Sequence, residues 1–261
     1  MLDLSASATQ IRESVLSVPV SVVSWAEAVG CIFSWALRRE SRAVCVCNVH
    51  SIVTARRNTE HAIALERADL ATPDGAPVAW VLRRIGHRDQ ERINGPDLMW
   101  KCCGIASESG TEMFLYGGTA TTLRSLEQRL RAEFPGVNVV GAFSPPFGEV
   151  SGEEDSAITD MINRSGARIV WVGLGCPKQE AWMLAHRGRV QAVMVGVGAA
   201  FDFHAGVLKR APLWMQRNGL EWLHRLWQEP RRLAYRYLVG NSLFILGVLR
   251  DLSASRIKST T

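Results

Sequence analysis

ARIVWVGLGCPKQEAWMLAHRG, residues 167–188, decides the fold. Its first part is a short apolar, β-branched run that ends on glycines. Its second part starts after Pro177 and reads as a helix from Lys178. A strand that enters a glycine turn and returns as a helix is half of a parallel crossover unit. The same order recurs along the chain. AVCVCNV (43–49) leads into SIVTARRNTEHAIALERA (51–68), read as one helix. DLATPDG (69–75) follows, then PVAWVLRRIG (77–86) and GPDLMWKCCGIASESG (95–110) as helices. TEMFLYGG (111–118) leads into TATTLRSLEQRLRAEFPG (119–136), which Pro135-Gly136 stops. VNVVGAF (137–143) precedes SGEEDSAITDMINRSG (151–166), whose serine cap and acidic first turn mark a helix start. QAVMVGVGAAFD (191–202) reads as a further strand. Strands that are apolar throughout are covered on both faces, so the alternation predicts an α/β fold with a doubly wound, mostly parallel sheet. Ligands of such sheets bind at the carboxyl ends of the strands.

Charge divides the chain. From Ala205 to Thr261, ten Lys/Arg stand against three Asp/Glu, a balance of +7, whereas the whole 261-residue chain carries +5. The body before Ala205 is therefore mildly acidic. The basic segment also holds Trp214, Trp222, Trp227, Tyr235 and Tyr237, and it ends in YLVGNSLFILGVL (237–249). We place a boundary near Gly206, with residues 1–206 as an α/β core and 207–261 as a basic, aromatic-rich helical appendage. Arginine, aromatic and aliphatic residues together suit an anionic bilayer face. The apolar run Tyr237–Leu249 falls short of the roughly 20 residues a span needs, so it reads as an interfacial or docking helix. An exposed apolar tail also favours self-association into a homo-oligomer.

A composition of 47 % hydrophobic and 21 % charged residues excludes disorder. The start, MLDLSASATQIRESVLSVPV, lacks a basic region followed by a long apolar core, so no signal peptide is expected. The six cysteines form no CxxC, and with six histidines they show no zinc spacing. Buried reduced thiols, with no metal site and no cofactor, are the expectation.

Five loops carry candidate chemistry. In YGGTATT (116–122), Gly117 and Gly118 precede a helix, where backbone N–H groups cradle phosphate or simply make a strand–helix turn. In GLGCPKQE (173–180), Gly173 and Gly175 permit close backbone approach, and Lys178 and Gln179 offer donors to a diphosphate or a sugar hydroxyl. TPDGAPVAW (72–80) sets Asp74 in a tight turn at a strand end, either a general base or a turn residue. RINGPDL (92–98) offers Arg92 for phosphate, with Asp97 as a helix-start residue. GVGAAFDFHAG (196–206) offers Asp202 and His204. The tail holds Arg210, Arg217, Arg225, Arg231, Arg232 and Arg236, either a phosphate-capturing cluster or a solvated basic face. No GxGxxG and no Walker lysine is present, which argues against dinucleotide and ATP sites.

Taken in order, TPDGAPVAW, RINGPDL, GLGCPKQEAW, GVGAAFDFHAG and RAPLWMQRNGLEWLHRLWQEPRRLAYRY resemble the WecG/TagA/CpsF bacterial glycosyltransferases, from about Val44 to Leu238. The resemblance implies a Rossmann-like core and a C-terminal appendage that closes the active site on the membrane. It implies an inverting, metal-independent transfer from a UDP-sugar to a polyprenyl-diphosphate-linked saccharide at the cytosolic membrane face. The family's base would be Asp74, its active-site Asn would be Asn48, its Arg would be Arg92 and its motif Gln would be Gln179. Its appendage arginines fall at or near Arg225, Arg231 and Arg232. Val46 stands where some members carry Thr, and the roles of Val46 and His50 are left open. A different class of function fits the charge pattern too: a non-catalytic module binding a membrane surface or single-stranded nucleic acid. The apolar content of the basic segment favours lipid and argues against nucleic acid.

Overall fold

The computed structural model of the chain describes residues 11–146, 148 and 150–258, with side chains of the last helix as far as Ser253. Residues 1–10, on which half of the stretch read for a signal peptide falls, and Phe147, Glu149 and 259–261 lie outside the described residues.

The elements run β1 (Arg12–Val15), β2 (Val18–Ser21), α1 (Trp25–Leu37), β3 (Arg42–Cys47), α2 (Val49–Ala55), α3 (Thr59–Arg67), β4 (Leu70–Pro73), α4 (Ala76–Arg84) and α5 (Gly95–Ser109). They continue with β5 (Glu112–Gly117), α6 (Ala120–Glu133), β6 (Asn138–Phe143), α7 (Gly152–Arg164), β7 (Ile169–Gly173), α8 (Lys178–His186), β8 (Val193–Gly196) and α9 (Ala200–His204). The basic segment forms α10 (Leu213–Arg217), α11 (Glu221–Gln228) and α12 (Pro230–Lys258).

Six strands pair in the order β4-β3-β8-β7-β5-β6, every neighbouring pair parallel. Alternation along each strand feeds two cores. Cys45, Cys47, Val170 and Val172 face α2, α3, α4, α7 and α8, whereas Val44, Val46, Ile169 and Trp171 face α1, α5, α6 and α9. Burial on both faces is why these strands are apolar without interruption. None of the six cysteines, all among the described residues, is in a disulfide, and only Cys176 is not fully buried.

Two stretches depart from the sequence reading. The expected helix over residues 51–68 is two helices, because the Asn58 side chain accepts from His61 N at 2.9 Å and starts α3 afresh. The expected strand over residues 191–202 ends at Gly196, since Gly198 at φ +56 turns the backbone and Ala200–His204 is helical. The sequence reading also left out the β1–β2 hairpin, whose turn residues Leu16 and Ser17 both take positive φ, and α1, which opens on a Ser24–Glu27 capping box.

Pro230 sits at the start of α12, where its missing N–H costs nothing, and it separates α11 from α12. Leu233, Phe244 and Val248 of α12 are buried, the latter two in the core beside α2, so the run Tyr237–Leu249 docks along one side. Among the described residues no helix is long and apolar enough to cross a membrane.

Glycine is required where β5 meets β7. Gly117 pairs with Gly173, has φ +118, and a Cβ on it would lie 2.6 Å from the Gly173 carbonyl carbon. Gly117→Ala is expected to destabilise the fold by at least about 3 kcal/mol, adding backbone strain to overpacking. Urea unfolding followed by circular dichroism measures it, and an unchanged midpoint would contradict the packing described.

Candidate active site

A cavity of about 480 Å³ opens over the carboxyl ends of β4, β3, β8 and β7, neighbours in the sheet. Its floor comes from the core: Val46, Asn48, Asp74, Arg92, Gly175, Gln179 and the Gly196–Ala200 turn. Its roof comes from the basic C-terminal segment: Glu221, Trp222, Arg225, Arg232, Arg236 and Tyr237.

Asp74 is held by its backbone. Its N–H donates to the Cys47 carbonyl at 2.9 Å, and Gly75 at φ +86 turns the chain sharply into α4. The carboxylate therefore stands at the strand end with 18 % of its side chain exposed. Arg92 Nε lies 3.5 Å from Asp74 Oδ1. Asn48 caps α2, its oxygen accepting from Ser51 N at 3.1 Å, which leaves its amide hydrogens for Asp74. Burial raises the Asp74 pKa above the ordinary carboxylate value. The Arg92 cation opposes the rise, and the Glu221 carboxylate reinforces it. A carboxylate whose ionised form is destabilised, yet still reached by one cation, is a stronger base than a solvated aspartate.

Glu221 ties the roof to the floor. Its carboxylate binds Arg92 Nη2 and lies 3.6 Å from Arg210 Nε. Arg210 makes a two-pronged contact with Asp97, its Nη2 at 2.8 Å from Oδ2, and Asp97 accepts from Asn94 Nδ2 at 2.6 Å. A continuous charged chain thus runs from the start of α5 through the appendage to Asp74.

Gln179 is buried, its oxygen accepting from Gly198 N at 3.0 Å and its amide donating to Glu180 at 2.9 Å. It shapes the β8 turn that forms the cavity floor. On the opposite wall, burial and the nearby Arg236 cation lower the His50 pKa to about 4, so the ring is neutral near pH 7. A neutral imidazole both donates and accepts, as recognition of a hydroxyl requires.

The roof carries an excess of cations. Arg225 and Arg232 share one carboxylate, Glu229, at 3.6 and 2.9 Å. Arg236 adds a third guanidinium, whose Nε has no hydrogen-bond partner. Burial lowers the Arg236 pKa, and the charges of Arg225 and Arg232 push the same way. Three guanidiniums lining one cavity, with one carboxylate shared between two of them, suit an anion.

The sequence profile of the glycosyl transferase WecG/TagA/CpsF family matches residues 13–258. The chain belongs to this glycosyltransferase family. Its members transfer sugar from a donor to an acceptor.

Within this WecG/TagA/CpsF chain, the residues expected at the site divide in two. Asp74, Asn48, Gln179, Arg92, Gly175, Arg225 and Arg232 line the cavity, as do the unassigned Val46 and His50. Gly117, Gly118, Gly173, Lys178, Asp202 and Arg231 are not among its lining residues. Gly117 and Gly173 pack β5 on β7, and Gly118 N donates to Gly173 O at 3.2 Å, so that N–H is turned to the sheet. Lys178 and Arg231 are exposed. Asp202 sits within electrostatic reach of Arg232, Glu229 and Arg225, behind the cations of the roof. Sequence reasoning passed over Glu221, and Tyr237 entered only as one of the tail aromatics. A signal existed for Glu221: it is the one acid within RAPLWMQRNGLEWLHRLW.

Proposed function

We propose that this glycosyltransferase is an inverting hexosyltransferase using a UDP-sugar, with a polyprenyl-diphosphate-linked saccharide as acceptor. N-acetylmannosamine, its uronic acid and glucose are the sugars that the resemblance admits. The observation that carries the reading is the pairing, across one cavity, of a single destabilised carboxylate, Asp74, with the cations of Arg225, Arg232 and Arg236. Asp74 takes the proton of the acceptor hydroxyl while the oxygen attacks the anomeric carbon from the face opposite the diphosphate. The bond from that carbon to the diphosphate oxygen breaks, and its electrons stay on the leaving UDP. The roof arginines meet that charge, the largest change on the way to the transition state. One displacement inverts the anomeric centre.

Residues 207–261 serve in this reading as an appendage on the cytosolic membrane face. Trp214, Trp227, Tyr235, Leu238 and Leu246 are exposed, Trp227 to 88 %, beside the basic residues. Such aromatic and aliphatic side chains enter the headgroup region while arginines meet anionic lipid. The roof then lies next to the lipid that carries the acceptor.

The test is transfer by the full chain on vesicles holding the lipid-linked acceptor. Each UDP-sugar is first screened by calorimetry, and the product is then measured by mass and by anomeric proton coupling. One donor should yield a lipid-linked product heavier by one sugar, with inverted configuration. Retention of configuration, or no product from any of the three donors, would sink the proposal.

The pH profile gives a second check. Asp74 acts only when ionised, so kcat/KM falls as pH drops through its raised pKa. Glu221→Gln removes the carboxylate that raises this pKa, so the acid limb should move to lower pH. Arg92→Ala removes the opposing cation, so the limb should move to higher pH. Shifts of the opposite sign would exclude Asp74 as the titrating base.

A further inference from the structure

Behind the cavity wall at Cys176 lie three donors that the chemistry above does not use. His61 belongs to α3, Cys176 to the loop after β7, and Glu180 to the first turn of α8. Their ligating atoms all lie within 4.8 Å of one another. His61 and Glu180 are each 1 % exposed.

The hydrogen bonds leave a gap in the middle. His61 Nε2 lies 3.2 Å from the Ser51 carbonyl oxygen, which can only accept. Nε2 therefore carries the proton, and Nδ1 is a bare lone pair. Nδ1 faces Glu180 Oε2 at 3.8 Å, too long for a direct hydrogen bond, and neither atom has a hydrogen-bond partner. The other Glu180 oxygen accepts from Gln179. Cys176 Sγ lies 3.7 Å from His61 Nε2. Among the described residues, His61 is the one ion-pair partner of Glu180, and a neutral imidazole balances no charge. A water between the two lone pairs would satisfy both acceptors, whereas a cation there would satisfy both and also hold the buried carboxylate ionised.

We propose that His61, Cys176 and Glu180 bind one zinc-class divalent cation. Thiolate, imidazole and carboxylate together are a zinc donor set, whereas magnesium and calcium take oxygen ligands. Zinc bonds to N and O of about 2.0–2.2 Å span up to about 4 Å in all, which covers the separation of Nδ1 and Oε2. Three protein ligands leave a fourth position, and Cys176 is the member of the set that lines the cavity. The cation would tie α3 to the β7–α8 loop that forms the cavity wall. Its thiolate and carboxylate would balance its charge, and uptake would displace the thiol proton. Sugar transfer as described above places no step on it.

The experiment uses the full chain carrying a tag without histidine, stripped with chelator and titrated with Co²⁺ as the probe. The expected result is saturation at one ion per chain. It should show a near-ultraviolet thiolate-to-cobalt band and the visible bands of a tetrahedral complex, both erased by Zn²⁺. Cys176→Ser should lose the near-ultraviolet band. Glu180→Gln should weaken uptake at least about tenfold. Circular dichroism establishes that each variant is folded, and Cys176, part exposed in a loop, is the substitution least able to disturb the core. Uptake without saturation, or a near-ultraviolet band that survives in Cys176→Ser, overturns the proposal. The readout is spectroscopic, so it does not depend on the role given to Asp74.

Discussion

Asp74→Asn is expected to lower kcat for sugar transfer by about 10²–10⁴, the range that a positioned general base supplies. Donor affinity should change little, because Asp74 faces the acceptor hydroxyl and the diphosphate meets the roof arginines. The variant should also melt higher than the parent near neutral pH. The folded-state pKa of Asp74 is raised, chiefly by burial. A raised carboxylate contributes stability only while protonated, and that contribution is lost as pH rises through the folded pKa. At neutral pH the ionised group is therefore a cost, and the neutral amide removes it. Activity lost together with stability gained is the signature of a strained functional group rather than a structural one. Near-normal turnover by a folded Asp74→Asn would take the base role away from it.

Removing Arg225, Arg232 and Arg236 together, each to Ala, is expected to lower kcat at least about 10²-fold, since a single preorganised donor to developing charge is worth about 10²–10³. The three effects will not add, because the guanidiniums act on one anion and repel one another. UDP binding by calorimetry should weaken in parallel. Arg231→Ala is the control. Arg231 is exposed on the first turn of α12 and absent from the cavity lining, so its loss should reduce vesicle binding while leaving UDP binding unchanged. Equal UDP affinity in the triple variant and the parent would remove the arginines from the diphosphate site.

Much of this was legible in the sequence, for local reasons. Strands such as IVWVG and RAVCVC are buried on both faces, so their composition announces a covered parallel sheet whatever the rest of the chain does. The place of Asp74 at a strand end was legible, because it stands between a strand and a Gly-Ala-Pro helix start, but the local pattern alone reads equally as a turn, and the base role came only with the family resemblance. The basic, aromatic-rich character of the C-terminal segment was legible as well, since charge and aromatic content are properties of composition. The break at Asn58 was missed because no Gly or Pro marks it, and the turn at Gly198 because apolar residues run through it; a side-chain cap and a positive φ end the elements.

The line between sequence and tertiary structure falls at residue pairing. The sequence by itself determined the α/β alternation, the glycine-ended strands and the separation of an acidic body from a basic tail, because each follows from the chemistry of near neighbours along the chain. Only the tertiary structure decided which loops meet. The order β4-β3-β8-β7 sets Asp74, Asn48, Gln179 and the Gly196–Ala200 turn around one cavity, and the pairing of β5 with β7 sends Gly117 and Gly173 to pack strands instead. It also set Glu221 on Arg92, and His61 beside Cys176 and Glu180, across separations of 115 residues and more. Contacts of that kind depend on strand order and on where each crossover helix lands, and no periodicity within a segment encodes them.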